Sequence, residues 1–137
     1  MEKKNIDLIL GKKTEKEILP IIRDYFNCNV VMDEDNEFDT IDFKDEFTLI
    51  ELKCRRINHN QYSTCLIGLN KYRYFRENKD KKCYIVYKYN DGLFYIRVKR
   101  KYFKNFETKI QNTWRDGKCE SSEVILIPIE YLKKIDV

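Results

Sequence analysis

Residues 38–56 read FDTIDFKDEFTLIELKCRR, and the second half of that stretch decides the fold. Residues 47–54, FTLIELKC, form an apolar, β-rich run into which a carboxylate (Glu51) and an amine (Lys53) are set two positions apart. Side chains alternate between faces along a strand, so Glu51 and Lys53 project to the same side. Leu49 and Ile50 are both apolar, as in a strand covered on both faces rather than washed by water on one. A charge pair on such a strand must offset a desolvation cost, either by mutual pairing or by holding a metal ion.

Just upstream, residues 38–43 form a second short extended run that carries Asp42 near its end. The polar gap Lys44-Asp45-Glu46 predicts an antiparallel hairpin between 38–43 and 47–54. Such a hairpin brings the carboxylates of Asp42 and Glu51 to one end, with the Lys53 ammonium beside them. Two carboxylates facing one point suit Mg²⁺ (or Mn²⁺), which takes oxygen ligands and keeps several waters. A lysine nearby can orient or help deprotonate one such water. The plain alternative is a solvent-facing Glu and Lys on an amphipathic strand. It accounts less well for a run that is apolar on both faces and follows an acid-bearing strand.

At these residues the chain resembles the PD-(D/E)XK nuclease superfamily, whose core is an acidic residue, a short gap, then (D/E)-x-K on the next strand. The matching residues are Asp42 and then Glu51-Leu52-Lys53, within a resemblance over roughly residues 11–70. Ile41 stands where the proline of the motif would precede the acid. The resemblance implies that Asp42 and Glu51 hold the metal and that Lys53 is catalytic. Asp39 rivals Asp42, because a tight hairpin centred on Asp45 would set Asp39 opposite Glu51. The shorter gap and the apolar Phe43 that follows look more like the family pattern and favour Asp42. In the family the first helix often carries Gly-x-x-x-Glu with the glutamate reaching toward the metal; Gly11 and Glu15 stand at that spacing. The helix after the motif often places a polar residue near the cleft, and Gln61, Thr64 and Lys71 are the candidates.

At 137 residues the chain is long enough for one domain with a real core, and residues 1–137 are read as that domain. Charged residues at 36% and apolar ones at 42% belong to a soluble globular protein. No apolar run approaches the ~18 residues of a membrane span, and the Met-Glu-Lys-Lys start carries no signal-peptide core. Five widely spaced cysteines, most in apolar surroundings, read as reduced, buried thiols of a cytoplasmic protein, and the lack of any Cys-x-x-Cys pair argues against an iron–sulfur cluster. Heavy use of Lys, Asn, Ile and Tyr is that of an AT-rich coding source such as a phage, a virus or a low-GC bacterium.

The net charge of +4 is mild, but its distribution is uneven. Residues 97–104 hold five basic side chains and no acid, among them Lys99, Arg100 and Lys101. A second cluster includes Lys71, Arg73 and Arg76, and Arg55 and Arg56 directly follow the motif. Basic residues interleaved with Tyr72, Tyr74, Tyr102 and Phe103 suit a phosphate backbone.

The remaining elements follow from periodicity and turn chemistry. Ile18, Ile22 and Phe26 predict a first helix, with Thr14 as N-cap, Glu17 completing a capping box and Pro20 marking a kink. Strands are expected at 28–32, 83–89, 93–98 and 123–127, with Asn90-Asp91-Gly92 as a hairpin turn. Helices are expected at 61–75, 101–114 and 129–135. This order fits an α/β, three-layer-type sandwich around a central mixed β-sheet, and equally the restriction-endonuclease-like core α-βββ-α-β. The expected function is a Mg²⁺-dependent DNA endonuclease. Small size and basic patches point toward a structure-selective, junction-resolvase-like enzyme, for which a homodimer is expected by analogy. A non-catalytic nucleic-acid-binding module on the same fold is the alternative, and the sequence leaves DNA versus RNA open.

Overall fold

The structure, a computed structural model, describes residues 3–32 and 41–136. A six-stranded mixed sheet lies at its centre. Its strands are β1 (Val31–Met32), β2 (Phe43–Lys44), β3 (Thr48–Cys54), β5 (Lys82–Tyr89), β6 (Gly92–Arg97) and β9 (Lys133–Ile135), and they lie side by side in that order. The one parallel pair among them is β3 with β5, and a parallel pair needs a crossover. That crossover contains strand β4 (Thr64–Gly68) and helix α2 (Leu69–Glu77). A second sheet adds β7 (Thr108–Arg115) and β8 (Lys118–Pro128) to β4, in the order β4-β8-β7. This mixed α/β arrangement is compatible with a restriction-endonuclease-like fold.

Helix α1 (Lys3–Phe26) covers one face of the central sheet. Ile18 and Ile22, four apart and buried, pack with Phe43, Ile50, Leu52 and Val86. The helix begins well before Thr14, so that residue is interior rather than a cap, and the chain continues helical through Pro20. It ends in a Schellman motif: Asn27 takes a left-handed φ of 51° and the Cys28 N–H donates to the Arg23 carbonyl at 3.1 Å. The opposite face of the sheet presents Leu49, Cys83, Ile85, Tyr87, Phe94 and Ile96. These pack on Cys65 and Ile67 of β4, Phe75 of α2, and Ile125 and Ile127 of β8. The buried Tyr87 hydroxyl donates to the Leu66 carbonyl at 2.9 Å and ties the two sheets together.

Three segments expected as helices are extended over part or most of their length. In 61–75 the helix starts only at Leu69, because Cys65 and Ile67 form strand β4 against Ile127 and Ile125 of β8. In 101–114 a short helix α3 (Arg100–Phe103) gives way to β7. The spacing of Ile110 and Trp114 imitates a helix face, but both side chains are exposed, and the register with β8 sets the conformation. Asp116 and Gly117, with φ of 52° and 75°, form the two-residue turn between paired Arg115 and Lys118. Positive φ at both positions is the type I′ geometry that Asp-Gly favours. Segment 129–135 is one 3₁₀ turn, Ile129–Tyr131, followed by β9 pairing with β6.

Candidate active site

Asp45 organises the turn between β2 and β3. Its carboxylate accepts from the backbone N–H of Phe47 at 2.8 Å and of Asn29 at 2.9 Å. Partial burial works against the charge, but these hydrogen bonds outweigh it and hold the carboxyl below its usual range. The hairpin register pairs Phe43 with Ile50 and Lys44 with Leu49. One further step along that register sets Asp42 opposite Glu51. Asp42 lies in the bend before β2, and its Oδ2 accepts the Leu52 N–H at 2.9 Å, where a backbone carbonyl would otherwise serve. Asp39 lies outside the described residues.

Glu51 sits in mid-β3 beside Ile85 of β5, its side chain turned toward α2, and it is only 2% exposed. Lys71, from the first turn of α2, reaches down to it, with Nζ 3.0 Å from Oε2. Oε1 is buried without a hydrogen-bond partner among the described residues. Burial pushes the carboxyl up, and the adjoining Asp42 carboxylate pushes it further. The Lys71 and Lys53 ammonium groups pull it back, and the carboxyl ends at about 8 instead of the usual 4.5. Deprotonated, Glu51 and Asp42 are both acceptors and repel; a proton or a cation between them satisfies both. Lys53, two residues along the same face, is half-buried.

The family model described as phage putative PDDEXK endonuclease matches residues 11–135. The chain belongs to that family. No curated protein and no solved structure matches it significantly. In this PDDEXK chain the matched segment takes in both sheets and all the residues singled out above.

The residues fit the divalent ion such a family implies: a buried carboxylate oxygen has no partner among the described residues, and a second carboxylate adjoins it on a hairpin carrying a lysine. Asp42 and Glu51 would hold it. Glu15 is half-buried on α1, which packs on the other face of the sheet; the thiol of Cys54, an exposed residue, is raised mainly by partial burial, with the charges of Asp42 and Glu15 adding to it. Among the described residues no three His, Cys, Asp or Glu side chains converge on one point.

The other expected site residues are dispersed. Gln61 is exposed in the loop before β4, and Thr64 opens β4 opposite Pro128, so neither shares a helix face with Lys71. Arg55 and Arg56 are exposed just past β3, where the Arg55 N–H continues the ladder to the Lys88 carbonyl at 2.8 Å. Arg73 of α2 and Arg100 and Lys101 of α3 are exposed, and Lys99 is half-buried. Tyr72 stacks on Phe103 with ring centroids 5.1 Å apart, which brings α2 and α3, and with them the two basic clusters, side by side. The sequence puts Lys71 both among the polar candidates near the cleft and in a basic cluster for nucleic acid; its ion pair with Glu51 is seen only in the structure. Only part of the signal was available: a carboxylate buried on an apolar strand requires a cation, but with the helix expected from residue 61 nothing set Lys71 in its first turn, where the structure has it.

Proposed function

We propose that this chain is a divalent-metal-dependent endonuclease acting on DNA, with Asp42, Glu51 and Lys53 at its centre. The observation that carries the reading is the buried Glu51 Oε1, without a hydrogen-bond partner among the described residues and beside Asp42, on the strand that carries Lys53, in a chain of a phage endonuclease family. A divalent ion at the two carboxylates supplies a nucleophile at neutral pH and neutralises charge developing on the phosphodiester. Asp42, fixed by the Leu52 N–H, stands beside Glu51 with one carboxylate oxygen outside that bond. Lys71 orients Glu51 and reduces the repulsion between the carboxylates. Lys53 hydrogen-bonds the attacking water and offsets the negative charge that builds on phosphorus. The exposed cations of α2 and α3 hold the flanking phosphates.

The test is incubation of supercoiled plasmid, linear duplex and four-way-junction DNA with the protein in Mg²⁺, Mn²⁺ or EDTA. Cleavage in either metal and none in EDTA is expected. Junction cleavage in preference to duplex would extend the reading to a structure-selective enzyme. Salt-sensitive DNA binding without cleavage in any buffer would instead make the chain a binding module.

A further inference from the structure

Beyond the carboxylates, the same face of β3 leads to a cavity of about 280 Å³. Its polar and aromatic lining includes Arg55, Tyr62, Thr64, Tyr89, Lys109 and Gln111. Arg55 continues the alternation Glu51, Lys53, Arg55, because its N–H extends the β3–β5 ladder. At ~3.3 Å per residue it stands roughly 13 Å from Glu51. For a nucleic-acid strand running along β3, at a ~3.4 Å rise, that distance spans about four steps.

The lining selects a ligand class. It contains two cations and no carboxylate, although the chain has 23 acidic residues, so it favours an anion over a metal. Tyr62 is 62% exposed, which leaves its ring accessible to a ligand. The Gln111 amide can both donate to and accept from the edge of a base. The volume lies just below the range of about 300–1,000 Å³ typical of small-molecule sites, a size that suits a single nucleotide unit. Aromatic face, amide and paired cations together match one nucleotide unit: a base to stack, an edge to read and a phosphate to neutralise.

We infer that this cavity receives a single unpaired nucleobase of the substrate strand, with Tyr62 stacking on it, Gln111 at its edge, and Arg55 and Lys109 on its phosphate. The inference rests on the endonuclease reading for the path of the strand past Glu51. It makes the favoured substrate a DNA with an unpaired or extruded nucleotide a few positions from the cleaved bond.

The test is binding in EDTA, which needs no chemistry. Fluorescent duplexes carrying one unpaired 2-aminopurine, the same duplex with an abasic residue there, and a fully paired control are titrated with protein. The unpaired base should bind about tenfold tighter than either control, as expected for one stacked base, with quenching of its fluorescence. Tyr62→Ala and Gln111→Ala should each erase that preference, and Tyr62→Phe, which keeps the ring, should retain it. Equal affinity for all three duplexes, or a preference untouched by Tyr62→Ala, overturns the inference. The two readings fail separately. Cleavage in Mg²⁺ without base preference leaves the nuclease and removes the cavity's role; base preference without cleavage in any metal does the reverse.

Discussion

Glu51→Gln separates a catalytic carboxylate from a structural ion pair. In metal-free protein the Glu51 carboxyl is raised from the usual 4.5 to about 8, first by burial and then by Asp42. A group whose proton is held more tightly in the folded state adds stability that is complete below the unfolded pKa. That stability is lost as pH rises through the folded value. The affected window is therefore about pH 4.5 to 8, and at 1.36 kcal/mol per tenfold change the full loss is about 5 kcal/mol, or about 3 kcal/mol by pH 7. The glutamine side chain introduced by this substitution mimics the protonated acid: its carbonyl accepts from Lys71 and its amide donates to Asp42. In EDTA at pH 7 the variant should melt higher than wild type, by roughly 10 °C at a few degrees per kcal/mol. Its stability should be flat from about pH 5 to 8.5 where that of wild type falls. Asp45, whose carboxyl is lowered, contributes stability that is lost only as pH falls through its folded value, below this window. Cys65 and Cys83, raised by burial to about 11, act above it. Mg²⁺ should stabilise wild type and leave the variant unmoved. Thermal melts across pH, with EDTA or Mg²⁺, make the measurement. A Glu51→Gln protein that melts below wild type at pH 8 in EDTA would refute the reasoning and make Glu51–Lys71 a net-stabilising pair.

Lys53→Ala should keep metal binding by calorimetry while cleavage falls at least ~100-fold, the size of a lost electrostatic contact to the transition state; weakened metal binding would instead place Lys53 in support of the ligands. Arg73→Ala combined with Lys101→Ala should weaken DNA binding and lower the log–log salt slope by about 0.9 per lost phosphate contact. An unchanged slope in a salt titration would mark both as ordinary solvated side chains. Tyr87→Phe strips the Leu66 carbonyl of its donor across the sheet interface and should cost about 1–3 kcal/mol in urea unfolding. A midpoint like that of wild type would show that water or a neighbour replaces the hydroxyl.

By itself the sequence determined the features whose cause lies within a few residues. The antiparallel pairing of β2 with β3 was legible from the polar gap, although β2 keeps only Phe43 of the run 38–43 and takes in Lys44 of the gap, with 38–40 outside the described residues; Asn90-Asp91-Gly92 marks the β5–β6 turn. Glu51 and Lys53 share a face because a strand has a period of two. Asp116-Gly117 was an equally local hairpin signal; the i, i+4 spacing of Ile110 and Trp114 masked it. Tertiary structure decided what depends on distant partners. Residues 65–67 are extended because β8, far along the chain, offers a ladder and a buried face that outweigh local helix preference. The ion pair of Glu51 with Lys71 exists because the crossover from β3 to β5 lays α2 over that face. The raised Glu51 carboxyl has the same origin, since desolvation is a property of everything packed around a group, not of its neighbours along the chain.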